Sequence, residues 1–121
     1  MSLAKNPQPG PAPTPVAAGS SLAGLAQACG YGASGVARIA NGSSPPATPC
    51  AFFLDFSADG SAWVAGPAVG LGDTAADSLT LIPFAIGIGS GADWAYYRVR
   101  FAGHTGQGVT VACDASATTG V

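Results

Sequence analysis

Charge is what this sequence has least of. Four basic and six acidic side chains are spread over 121 residues, and none of the acidic ones is a glutamate. A soluble domain usually has roughly a quarter of its residues charged, so the content here is about threefold lower. So few ionisable groups leave little for acid–base catalysis, and we expect that the chain is not an enzyme. The net charge of −2 also argues against direct nucleic-acid binding, which needs a basic surface.

Long apolar runs are missing too. No stretch approaches the roughly 18 apolar residues of a transmembrane helix, so no membrane partner is predicted. The N-terminus carries one lysine and then prolines instead of an apolar signal core, which indicates synthesis and folding in the cytosol.

Three cysteines without a CxxC spacing and a single histidine do not make a usual zinc set, so we expect no metal and no cofactor. Cys29, Cys50 and Cys113 are interpreted as buried thiols, with pairing possible only in an oxidising compartment.

Proline is concentrated at the start of the chain. Five prolines fall within residues 1–15, where they fix the backbone and remove donors. This segment is predicted to be an extended arm, disordered or laid along a partner, ahead of a single domain at 16–121. Residues 16–30 have helical spacing interrupted by glycines, and strand or irregular structure is favoured there. If the arm docks, its contact residues would be Lys5, Pro7, Pro9 and Pro11.

Beyond residue 30 the apolar residues alternate with period two, which predicts short strands joined by Gly, Pro and Ser turns. The predicted strands are 35–41, 52–56, 62–69, 78–88, 93–102 and 107–114, followed by a frayed tail at 115–121. The second and third form a hairpin about the turn at 57–61, where Asp59-Gly60 is the strongest turn signal. Pro83 marks its strand as an edge strand or a bulge. The large apolar residues after Cys50, Leu79 and Leu81 among them, are assigned to the core.

Short strands at this spacing, with no strongly periodic helix, are typical of an all-β fold. We predict a small antiparallel β-sandwich of jelly-roll type.

Few residues are candidates for chemistry. His104 lies in a turn with no nucleophile motif nearby, which predicts a solvent-exposed turn histidine. Asp73 and Asp77 share a loop that lacks the spacing of a calcium motif, so loop capping is favoured over Ca²⁺ binding.

One strand face is more informative. In 93–102, Tyr97, Val99 and Phe101 point to the core, which leaves the other face to large aromatic and guanidinium side chains of the kind enriched at interfaces. Those residues are Trp94, Tyr96, Arg98 and Arg100. Two interpretations stay open: a partner covers this face, or the chain itself does.

A family resemblance rests on the S-x-D-G-x-x-W turn of Ser57, Asp59, Gly60 and Trp63, followed later by a Y-x-R-V motif in the segment that contains Tyr97, Arg98, Val99 and Arg100. Over Cys50 to Asp114 the chain resembles capsid decoration (cement) proteins of tailed bacteriophages. The same motifs are similar to discoidin-like and other carbohydrate-binding jelly rolls, but the chain is short for that family and lacks its terminal disulfide bracket and secretion signal.

The first resemblance implies a non-enzymatic virion structural protein on the outer surface of an icosahedral head, made in the host cytoplasm. It would bridge subunits of the major capsid protein and self-associate as a dimer or trimer. The alternative is a carbohydrate-binding jelly-roll module or a fibre-type receptor-binding domain, using Trp63, Trp94 or Tyr96 as a platform for sugars.

Overall fold

Ten β-strands form two antiparallel sheets in the described part of the chain. The computed structural model describes residues 3–8, 10–29, 32–86 and 94–120. The strands are β1 (Leu3–Gln8), β2 (Thr14–Val16), β3 (Leu22–Ala23), β4 (Gln27–Ala28), β5 (Ala33–Asn41), β6 (Ala51–Ser57), β7 (Ala68–Leu71), β8 (Leu79–Ile86), β9 (Tyr96–Ala102) and β10 (Val109–Gly120). No helix among the described residues is long and apolar enough to cross a membrane.

The strand pairing is nested. Sheet A has the order β1-β10-β5-β8, with β2 also on β10, and sheet B has the order β3-β9-β6-β7, with β4 also on β9. The first strands therefore pair with the last, the next with the one before it, then β5 with β8 and β6 with β7. Successive pairs alternate between the two sheets, as in a jelly roll. The predicted small antiparallel β-sandwich of jelly-roll type is confirmed.

The core lies between the sheets because alternate side chains of each strand point inward. Phe52 of β6 and Phe101 of β9 are fully buried and place their ring centroids 5.2 Å apart. Across the sandwich, the Phe84 ring of β8 lies 5.5 Å from Phe52 and 6.1 Å from Tyr97. Tilted rings at these separations pack efficiently and hold the two sheets together.

The segment predicted as an arm is extended and follows its own sheet. β1 and β2 both run antiparallel to β10, from Leu3 opposite Gly120 to Val16 opposite Val109. The prolines are accommodated because β1 and β2 form the sheet edge, where a missing N–H leaves no neighbouring carbonyl unpaired. Pro83 likewise lies in β8 at the opposite edge of sheet A, as predicted.

Two predicted elements differ from those in the structure. Residues 115–120 do not fray: β10 continues to Gly120, paired with β1 from Ala115 to Gly120 and with β5 as far as Ala117. The hairpin after Asp59 is confirmed, but its returning strand is shorter than residues 62–69. It begins at Ala68, after Pro67, and only an isolated bridge joins Val64 to Phe56 before it. In the described part of residues 16–30, Val16 ends β2 and the short strands β3 and β4 follow, with irregular chain between them, which agrees with the strand or irregular structure expected there.

Candidate functional site

The outer face of sheet B carries an unusual group of side chains. Asp55 and Arg98 are directly opposite each other on β6 and β9, as are Phe53 and Arg100. Trp63, from the loop after β6, lies over the same face with its ring 4.6 Å from the guanidinium carbon of Arg98. We call these five residues the guanidinium cluster.

Asp55 is the centre of the guanidinium cluster. Its carboxylate is 1% exposed. Oδ2 accepts hydrogen bonds from the Nε atoms of Arg98 (3.1 Å) and Arg100 (2.9 Å), while Oδ1 accepts from Arg100 Nη2 (3.2 Å) and the Gly66 N–H (3.3 Å). Four donors fill the acceptor sites of a carboxylate. Burial opposes ionisation, but the hydrogen bonds from Arg100, Arg98 and Gly66 outweigh it and hold the pKa of Asp55 below its ordinary value.

Aromatic rings hold the two arginines in place. Besides the contact between Arg98 and Trp63, the guanidinium carbon of Arg100 lies 4.0 Å from the Phe53 ring centroid. Such cation–π contacts contribute about 0.5–2 kcal/mol, more as water is excluded. The arginine side chains keep 28% and 24% of their surface exposed. The guanidinium groups are therefore fixed in position and still reachable from solvent.

The other two residues predicted on this face behave differently. Trp94 precedes β9 and stacks on Phe56, with centroids 6.4 Å apart and ring planes 27° apart. Phe56 packs against the core, so Trp94 extends the core instead of forming a platform with the arginines. The Tyr96 ring lies beside Gly60, close enough that a Cβ there would contact it at 3.7 Å. Other residues of the same chain therefore cover part of the Trp94 and Tyr96 side chains.

The predicted arm residues lie on the other sheet. In β1, Lys5 is opposite Thr118 and Pro7 is opposite Ser116, while the Pro11 carbonyl accepts a hydrogen bond from the Cys113 N–H. Pro9 lies outside the described residues. The seven described residues of the eight proposed as an interface therefore do not form one surface: Lys5, Pro7 and Pro11 follow the edge of sheet A, and the others follow sheet B.

The outer face of sheet A has an apolar region that the sequence analysis assigned to the core. Leu79 and Leu81 are 61% and 55% exposed, whereas Ile82 and Phe84 of the same strand are buried. The alternation along β8 places both leucines opposite Ile82 and Phe84, and that pattern was the signal that was missed. This face also carries an ion pair, in which Arg38 Nη1 lies 2.7 Å from Asp114 Oδ2. We call Leu79, Leu81 and their exposed strand neighbours Pro83 and Ala85 the apolar face.

The prediction for His104 is wrong. Its side chain is completely buried, and Nε2 lies 3.0 Å from the Val16 carbonyl oxygen. The His104 carbonyl in turn accepts from the Gly19 N–H. The loop folds under β2 because Gly103 and Gly106 both adopt positive φ, which glycine tolerates. Its burial and its bond to the backbone make His104 a structural residue that anchors the end of β2.

The remaining candidates are structural. Asp73 accepts hydrogen bonds from the Asn41 amide, the Ala75 N–H and the Ser78 hydroxyl, so the predicted capping of its loop is confirmed. The three cysteine thiols are buried, as predicted, and free. In the part of the chain that the structure describes, no three His, Cys or Asp side chains group as a metal site.

Fold and surfaces together define a jelly-roll sandwich with two distinct outer faces, one apolar and one carrying arginines and aromatic rings. No protein-family model matches the chain, and no curated protein matches it. Among solved structures it is similar to one described as "Family 16 Carbohydrate Binding Module-2". That likeness has a TM-score of 0.44 and 10% sequence identity, and it covers 89% of this chain and 76% of the other.

Proposed function

We propose that this chain is a virion structural protein that docks through the apolar face onto the major capsid protein of a tailed-phage head. The observation that carries the proposal is the exposure of Leu79 and Leu81 on the same face of β8, on the outside of sheet A. Exposed apolar patches on soluble proteins mark interaction sites. The capsid as partner comes from the resemblance of the turn and the strand β9 to decoration proteins.

The charge content supports docking of this kind. Arg38 and Asp114 of this outer face pair with each other, and among the described residues the strands of sheet A carry one further charged residue, Lys5 in the edge strand β1. Association would then depend on apolar burial, which salt barely affects, and not on ion pairs. A nearly uncharged surface also promotes self-association, which fits the dimer or trimer proposed for symmetry-related positions on a head.

The test is occupancy on virions purified from the native source, using a chain in which Leu79 and Leu81 are both changed to serine. The wild-type chain should sediment with the particles in a fixed ratio to the major capsid protein, and the double variant should be lost. Leu71→Ser is the matched control, because Leu71 is 57% exposed but belongs to sheet B. Absence of the wild-type chain from virions, or equal occupancy by the double variant, would contradict the proposal.

A second candidate function, carbohydrate binding, is favoured by the guanidinium cluster. Aromatic rings beside fixed hydrogen-bond donors are the combination with which proteins hold amphipathic ligands. Trp63 is half-buried, so part of its ring remains available to the apolar face of a sugar. A glycan array with Trp63→Ala as the comparison tests this function. If Trp63→Ala leaves glycan binding unchanged, Trp63 is not part of a carbohydrate-binding site.

A further inference from the structure

The guanidinium cluster has one more positive charge than negative. Arg98 and Arg100 both pair with the single carboxylate of Asp55. Among the other described aspartates, Asp59 and Asp73 cap turns and Asp114 pairs with Arg38, while Asp77 lies in the loop that leads into β8 of sheet A. One cation in this partly buried group thus has no counterion among the described residues. Partly buried charge of this kind is stabilised when an anion binds beside it.

The two arginines use their donors differently. Arg100 binds Asp55 through both Nε and Nη2, whereas Arg98 binds it through Nε alone. Within the described residues, the two terminal nitrogens of Arg98 have no hydrogen-bond acceptor. Guanidinium nitrogens are donors in a planar fork that matches the geometry of a carboxylate or a sulfate.

Arg98 is also held rigidly. The Asp55 carboxylate fixes its Nε and the Trp63 ring lies against its plane at 4.6 Å. A donor that is already ordered loses little conformational entropy when a ligand binds. The open edge of Arg98 is therefore a preorganised anion-binding group next to a half-buried indole.

We propose that Arg98 and Trp63 bind an acidic saccharide, with Arg98 pairing with a carboxylate or sulfate on the sugar and Trp63 contacting its apolar ring face. This inference rests on the second candidate function and specifies its ligand. It concerns the side of the sandwich opposite the apolar face, so a chain docked through sheet A would present this site to solvent.

The position of the site favours a saccharide over a peptide. Both β6 and β9 lie inside sheet B, flanked by β7 on one side and by β3 and β4 on the other. On the β7 side, the Phe56–Val64 bridge continues where the β6–β7 pairing ends, so an extended peptide meets no open sheet edge at the guanidinium cluster. A long polyanion such as nucleic acid would be opposed by the net charge of −2.

The experiment is titration calorimetry of the full chain with a short oligogalacturonate and with its methyl ester, which has the same rings but no charge. A sulfated galactan oligosaccharide distinguishes sulfate from carboxylate, and an oligo-aspartate peptide tests the peptide alternative. The variants are Arg98→Gln, Arg98→Lys and Trp63→Ala, with Arg38→Gln as the matched control on sheet A. Circular dichroism melting confirms that each variant is folded.

We expect at least about tenfold tighter binding of an acidic sugar than of the ester, as for a charge-assisted hydrogen bond. Arg98→Gln should abolish that preference, Arg98→Lys should recover only part of it, and Arg38→Gln should leave it intact. Preference for the sulfated sugar identifies sulfate as the anion and equally supports the site.

Three results would overturn the proposal, and they are distinguishable. Equal binding of acid and ester, lost in Trp63→Ala, would leave carbohydrate binding standing and reject the acidic specificity. Binding of neither sugar would reject the carbohydrate function itself. Oligo-aspartate binding as tight as that of the sugar would reject the saccharide as ligand.

Discussion

Replacing Asp55 with asparagine is the most direct test of the guanidinium cluster. The substitution keeps the shape of the side chain and removes its charge, so that both arginines lose their anion at a site where the carboxylate is 1% exposed. Removing one partner of a fully buried ion pair costs about 3–5 kcal/mol. Because the two arginines are still about a quarter exposed, water compensates part of that cost, and we expect about 2–3 kcal/mol.

The measurement is urea unfolding, where the midpoint should fall at an unchanged slope. In a thermal scan the same loss corresponds to roughly 10 °C for a domain of this size. Asp114→Asn is the matched control: it makes the same change in an ion pair whose side chains are 46% and 68% exposed. That pair should contribute no more than about 0.5 kcal/mol.

The pH dependence gives an independent check. Burial raises the pKa of Asp55, but the hydrogen bonds from the two arginines lower it by more, so that the pKa in the folded state is depressed. A depressed folded pKa stabilises the protein above the ordinary carboxyl value of about 3.9, and this stability is lost as pH falls through the folded value. The difference in free energy of unfolding between wild type and Asp55→Asn should therefore become smaller below about pH 4. The reasoning would be refuted if Asp55→Asn lowered the free energy of unfolding by less than about 1 kcal/mol at neutral pH, or if the difference from wild type stayed the same in acid.

Three further substitutions or treatments test the fold. His104→Ala removes a fully buried side chain and its bond to Val16, and should cost about 3 kcal/mol in urea unfolding; a cost below about 1 kcal/mol would deny it an anchoring role. Gly66→Ala would push a Cβ into the Leu54 carbonyl oxygen and should lower stability by at least about 2 kcal/mol, whereas Gly42→Ala, with nothing within 4 Å, should be nearly neutral. Burial raises the pKa of Cys50 and Cys113 to about 11, so thiol reagents at pH 8 should label these two only after denaturation; rapid labelling of the native protein would contradict their burial.

The local parts of the fold could be predicted from the sequence. Period-two alternation assigned Tyr97, Val99 and Phe101 to the core correctly, because the face of a strand depends only on residue parity. The Asp59-Gly60 turn was found because its chemistry is local as well. Leu79 and Leu81 were assigned to the core because they are large and apolar, but their positions along β8 place them on the outer face.

The candidate site could not be predicted, because it depends on strand neighbours. Asp55 faces Arg98 only because β6 lies next to β9 in sheet B, and no pattern in either segment specifies that pairing. His104 was missed for a similar reason: its burial comes from β2, which is far away in sequence and pairs with β10. Arg98 and Arg100 were identified as candidates, but their shared carboxylate was not.

The nested pairing also favours an order in which the chain assembles. Among the strand pairs of the described residues, only β6–β7 joins strands that are consecutive in sequence, and each pair outside it closes a longer loop, at an entropic cost that falls once the inner strands have joined. β10 is synthesised after β1, β2 and β5 and pairs with all three of them. Sheet A therefore cannot be completed until β10 has been made, and β1 and β2 wait unpaired until then. Such high contact order makes for slow folding, in which β1 and β2 are the last strands to join and the first to exchange their amide protons.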